Sequence, residues 1–102
     1  MIHVIVTVEL VEGTKDAFLE EFQKIVPVVL QEKGCLEYGP AVDANTDISA
    51  QAPVRADVVT ILEKWTSLDA LKEHLVAPHM VEYRPKVKDF VANSTLRIVE
   101  ST

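Results

Sequence analysis

Two of the three histidines, His74 and His79, stand five residues apart in the segment "HLVAPHM", on either side of Pro78. Histidine moves protons near neutral pH and is a common metal ligand. The pair therefore admits three readings: metal ligands, an acid–base pair, or two side chains without chemistry. A helix presents two ligands on one face at spacings of three or four. Five residues on a continuous helix lie about 140° apart. No "HExxH" is present, and no cysteine or carboxylate cluster stands at zinc-like spacing. The expectation is that no metal is held. Each ring also has a bland reading. His74 lies between Leu71 and Leu75 and would be a flank residue bonded to solvent. His79 is near a helix N-terminus, where a cation is unfavourable and a neutral imidazole can cap.

The neighbours give the pair its chemical interest. Glu63 and Trp65 end an apolar run, and a helix following them can fold back over the same face. That would bring His74, His79, Met80 and Tyr83 near the Trp65 indole. Trp, Tyr and Met make an apolar pocket wall in which a few polar groups fix orientation. The alternatives are a core Trp65 with its N–H satisfied, Tyr38 and Tyr83 as packing residues with wet hydroxyls, and Glu63 as half of a surface ion pair.

The elements that must position these residues read as follows. "IHVIVTVEL" predicts a strand over 2–11, with Ile2, Val4, Val6, Val8 and Leu10 on one face and a mixed second face of His3, Ile5, Thr7 and Glu9. A helix over about 14–32 follows, with Thr14 as its cap and Phe18, Phe22, Ile25, Val26 and Val29 as its apolar stripe. Pro27 predicts a kink, and Gly34 ends the helix in a left-handed conformation. A short strand over 35–43 puts Leu36, Tyr38 and Val42 on one side, with Gly39-Pro40 marking a bulge or an edge. After a polar loop, a strand over 54–65 aligns Val59, Ile61, Glu63 and Trp65. Thr66 or Ser67 caps the next helix, whose buried stripe is Leu68, Leu71 and Leu75. Ala77 is biased away from helix, and Pro78 starts a new one over 78–91. "STLRIVE" is the last strand. The order β-α-β-β-α-β is that of a ferredoxin-like α+β domain, an antiparallel sheet with helices on one face. The other face needs a cover, which predicts a homodimer.

Composition narrows the function classes. A chain of 102 residues predicts one domain over 1–102. At 48% hydrophobic and 25% charged residues it belongs to the globular class. A net charge of -6 opposes binding to nucleic acid or to an anionic membrane surface. The single cysteine, Cys35, excludes an internal disulfide and fits a reducing compartment. With no signal-peptide pattern and no long apolar span, the cytoplasm is the expected location. No GxGxxG or P-loop is present.

The pattern "EKW-S--AL--HL--PHM", from Glu63 to Met80, with "EKGCLEY" around Gly34 and Tyr38, resembles the antibiotic-biosynthesis monooxygenase domain, and most of all its small bacterial quinol monooxygenase-like members. The resemblance runs nearly end to end and implies a dimeric α+β barrel. It also implies a reaction without metal, haem or flavin. A quinol or polyphenol is deprotonated in a buried pocket, and the anion reacts directly with dioxygen. Carried over residue by residue, one histidine would be the base, His74 ahead of His79. Trp65 would be a pocket wall, and Tyr38, Glu63, Met80 and Tyr83 would line or support the site. Some members place an asparagine inward, where this chain has Val59 and Ile61. Two other readings stand beside this one. One is a ligand-binding dimer without catalysis. The other is an isomerase of a small hydroxyketone phosphate, whose cations would come from Arg84, Lys86 and Lys88.

Overall fold

A computed structural model describes all residues from Met1 to Thr102. Strand β1 (Ile2–Leu10) is followed by α1 (Lys15–Leu30), β2 (Cys35–Ala41), β3 (Val58–Trp65), α2 (Leu68–Leu75) and α3 (Pro78–Val87). A single 3-10 turn, Lys88–Phe90, leads into β4 (Val91–Glu100). The four strands form one antiparallel sheet in the order β2-β3-β1-β4, the ferredoxin-like arrangement. No helix is long and apolar enough to cross a membrane.

The two-residue period of β1 builds the floor of the core. Ile2, Val4, Val6, Val8 and Leu10 are all buried beneath the helices. Their partners on β3 are Trp65, Glu63, Ile61 and Val59, opposite Ile2, Val4, Val6 and Val8 in turn. The expected common face of β3 is therefore real, and it carries a carboxylate into the core. Helix α1 lays Phe18, Phe22, Ile25 and Val29 onto this floor. Phe22 stacks on Tyr38 at 5.3 Å between ring centroids and meets Tyr83 edge-on at 6.0 Å. Pro27 does not break α1. It sits on the exposed side, as does Gln23 one turn earlier, so the carbonyl that loses its partner faces water.

Several boundaries differ from the sequence reading, each for a local reason. Strand β3 starts at Val58 rather than at residue 54. Asp43 takes both the backbone N–H and the guanidinium of Arg55, at 3.0 and 2.9 Å, which ties residues 43 and 55 together outside the ladder. Strand β2 lies at the sheet edge, as Pro40 requires, but its register shift falls between Cys35 and Glu37. Of its three expected inward residues only Tyr38 is buried; Leu36 and Val42 are exposed. Thr14 does not cap α1 through its side chain, because its hydroxyl donates to the Val11 carbonyl at 2.6 Å. Ser67, not Thr66, caps α2 by accepting from the Ala70 N–H. The buried stripe of α2 is Ala70, Leu71 and His74, while Leu68 and Leu75 stay exposed. The helix is thus turned so that an imidazole, not a leucine, enters the core.

The helices stop short of β4. Leu96 and Ile98 pair with Val6 and Val4 and therefore share the helix-facing side. Yet they are 48% and 47% exposed. This leaves an opening between α3 and the β4 edge.

Candidate active site

His74 is 2% exposed and held between two rings. The Trp65 ring lies 4.7 Å from it, and Tyr38 meets it edge-on at 5.3 Å. Its Nδ1 is 2.8 Å from Glu32 Oε2. His79 Nε2 is also 2.8 Å from that same oxygen. A carboxylate only accepts, so with neutral rings each histidine presents an N–H to Glu32. His74 then carries its proton on Nδ1 and a lone pair on Nε2. That Nε2 stands 4.0 Å from Glu63 Oε1, too long for a direct hydrogen bond. Glu63 Oε1 in turn accepts the Trp65 indole N–H at 2.9 Å.

Local structure explains the convergence. Ala77 is extended (φ -61°, ψ 142°), and Pro78 opens α3 at its first position. This break cancels the 140° separation expected of a continuous helix and lets both imidazoles reach one carboxylate. The carboxylate comes from just beyond α1, where Gly34 (φ +84°) reverses the chain. Its carbonyl accepts the Thr66 N–H at 2.9 Å. A Cβ on Gly34 would lie 2.7 Å from both Ala70 Cβ and Thr66 Oγ1. Only glycine lets the end of α1 pack this closely on the start of α2.

A cleft of about 240 Å³ opens beside His74. Val6, Val8 and Ile61 form its floor, and Phe18, Phe22, Met80 and Tyr83 form its walls. The exposed Ser94 and Leu96 of β4 also line it. Twelve of its sixteen lining residues are hydrophobic, so the few polar groups, His74, Glu63 and the two tyrosines, decide orientation. Burial raises the Glu63 carboxyl above the ordinary carboxylate value, against the opposing pull of the Trp65 N–H. Burial also raises both phenols, Tyr38 with help from the Glu63 charge and Tyr83 with help from Glu21. They stay neutral hydroxyls. Arg84 is the one cation at the cleft, and its Nη2 donates to the Leu75 carbonyl at 2.6 Å.

Of the residues singled out from the sequence, His74, Glu63, Tyr38, Met80 and Tyr83 line this cleft. Trp65 does not; fully buried, it stands behind His74 and Glu63 and fixes both. His79 does not reach the cleft either and sits on the far side of Glu32, partly exposed. Glu32 was given no role by sequence reasoning. Its only signal was its place in "EKGCLEY", 42 positions from His74.

Known proteins resemble the chain throughout. The family model described as antibiotic biosynthesis monooxygenase matches residues 1–86. "Probable quinol monooxygenase YgiN" of Escherichia coli (strain K12) is 40% identical over 86 residues, covering 84% of this chain and 82% of that protein. Among solved structures, a conserved protein from Methanosarcina mazei superposes with a TM-score of 0.83 at 19% identity, covering 99% of this chain and 92% of the other. A putative antibiotic biosynthesis monooxygenase from Nitrosomonas europaea does so with a TM-score of 0.83 at 17% identity, covering 99% and 98%. At these identities the two structures speak for the fold.

Proposed function

The chain belongs to the antibiotic biosynthesis monooxygenase family, and on that footing we propose that it is a cofactor-independent monooxygenase that oxidises a quinol with dioxygen. The observation that carries this reading is the meeting of an apolar cleft with a buried histidine that lines it, whose Nδ1 is taken by Glu32 and whose Nε2 is left free. The quinol ring lies on Val6, Val8 and Ile61, beside Phe22 and Tyr83. One of its hydroxyls gives a proton to His74 Nε2. Glu32 holds His74 in the accepting tautomer and stabilises the imidazolium that forms, the role of the carboxylate in a catalytic triad. The electron-rich anion then reduces dioxygen. One oxygen atom enters the ring and the other leaves as water, with the quinol supplying the electrons and leaving as a hydroxyquinone.

The working form in this proposal is a homodimer of one-domain chains in the cytoplasm, with a small aromatic molecule and dioxygen as its partners. Ile5 and Leu62, paired across the strands, and Val99 are exposed on the sheet face away from the helices. A second copy would cover them. The isomerase reading is the weaker one. It needs several cations around a phosphate, and the cleft has Arg84 alone.

Oxygen uptake with a reduced naphthoquinone tests the activity. The expected result is a rate well above autoxidation, saturable in quinol and not lowered by dialysis against a chelator. A rate equal to autoxidation across a panel of quinols would overturn the reading.

A further inference from the structure

We propose that Glu32, His74 and His79 form a binding site for one divalent transition ion of the zinc type, and that the ion switches off His74 as a base. The second half rests on the function proposed above; the first does not.

The three ligand atoms, Glu32 Oε2, His74 Nδ1 and His79 Nε2, lie within 4.8 Å of one another. Zn–N and Zn–O bonds near 2.0–2.2 Å place neighbouring ligands of a tetrahedral ion about 3.3 Å apart. Each N···O pair, now at 2.8 Å, must open by about half an ångström, and the two ring nitrogens, within 4.8 Å of each other, must draw together to a similar spacing. The partly exposed His79 ring is free to give that movement. Two imidazoles and one carboxylate suit zinc, cobalt or nickel, whereas magnesium and calcium want oxygen ligands. Three protein ligands also leave a fourth position for water, as in open zinc sites. Glu32 also borders a surface depression with Lys33, Glu73 and Pro78, and His79 is partly exposed, so solvent reaches the edge of the site. Behind the site, Glu63 lies 4.0 Å from the second nitrogen of His74, about 1 Å beyond hydrogen-bond reach, so a small shift would let it accept from the ligating imidazole.

The switch follows from the tautomer. An ion bound at Nδ1 needs the lone pair there, so the His74 proton moves to Nε2. The ring then offers the cleft an N–H donor in place of an acceptor. No proton is lost and no residue leaves its place, yet the quinol hydroxyl has nowhere to send its proton.

Chelator-treated full-length chain is titrated with zinc chloride by calorimetry, and with cobalt(II), followed by its visible absorption. Trp65 is the only tryptophan and its ring lies 4.7 Å from His74, so cobalt should also quench its fluorescence. The expected result is one ion per chain. Glu32→Gln and His79→Ala should each weaken binding by more than about a hundredfold, beyond what loss of an outer-shell partner costs. His3→Ala and Cys35→Ser should leave binding unchanged. Circular dichroism checks that each variant is folded. Absence of stoichiometric binding, or binding equally tight in both ligand variants, overturns the site. With a quinol that turns over, zinc should inhibit along the same concentration curve as it binds. Full binding without inhibition overturns the switch while leaving the site, and lack of any quinol turnover touches only the function on which the switch rests.

Discussion

His74 is the residue on which stability and chemistry divide most clearly. His74→Ala removes the proton acceptor of the cleft, and turnover of a quinol should fall by roughly 10²–10⁴-fold. The fold should suffer less, because Phe22, Tyr38 and Trp65 still close the core around the gap; oxygen uptake and thermal melting on the same samples separate the two effects. Trp65 acts through its N–H as much as through its ring. Trp65→Phe keeps an aromatic ring but leaves the buried Glu63 without its donor, which should cost about 1–3 kcal/mol in urea unfolding. Cys35 reports on the same carboxylates. Burial, with the Glu32 and Glu63 charges behind it, pushes its thiol up to about 11. Negative neighbours disfavour the thiolate, so alkylation by iodoacetamide should be slow at pH 8 and rise only as the pH approaches that value. Glu32→Gln removes one of these charges and should shift the alkylation profile to lower pH; an unmoved profile would mean that burial alone sets it.

At the scale of elements, the decisive features are two chain reversals. Gly13 and Gly34 share a φ of +84°, but a Cβ on Gly13 meets nothing, whereas one on Gly34 strikes Ala70 and Thr66. Gly13→Ala should therefore cost only the left-handed strain, about 1–2 kcal/mol. Gly34→Ala should cost more, because α2 must also shift away from α1, and denaturant melts of the pair isolate that difference. Pro78→Ala should leave the fold largely intact yet lower ligand affinity or turnover, since the break at Ala77 sets how α3 meets α2. The strands and helices were legible in the sequence because period two in β1 and the phenylalanine stripe of α1 need no tertiary information. The parity of Val59, Ile61, Glu63 and Trp65 even placed a carboxylate on the inner face. The stripe of α2 was misread for the opposite reason. Leu68 and Leu75 are the more hydrophobic choice, but Trp65, Tyr38 and Glu32 together make a better place for His74 than for a leucine. Glu32 itself was out of reach of local pattern, since its partners come from two other helices.

For the molecule as a whole, the open sheet face bearing Ile5, Leu62 and Val99 leads to the expectation of a dimer, and light scattering should give twice the chain mass of 11.3 kDa at low micromolar concentration. A particle of the single chain mass would sink it. The strand order carries a further consequence, one that concerns the birth of the protein. Strand β1 lies at the centre of the sheet, and both of its partners are made after it: β3 once α1 and β2 have been made, and β4 once α3 has followed. While the chain is being synthesised, β1 offers two unpaired edges, and the second stays open until Glu100 can pair with Ile2. Exposed edges recruit other strands, and pairing between distant parts of a chain is slow to form. A nascent chain halted before Val91 would hold nearly all of the cleft and still be the form most prone to aggregate.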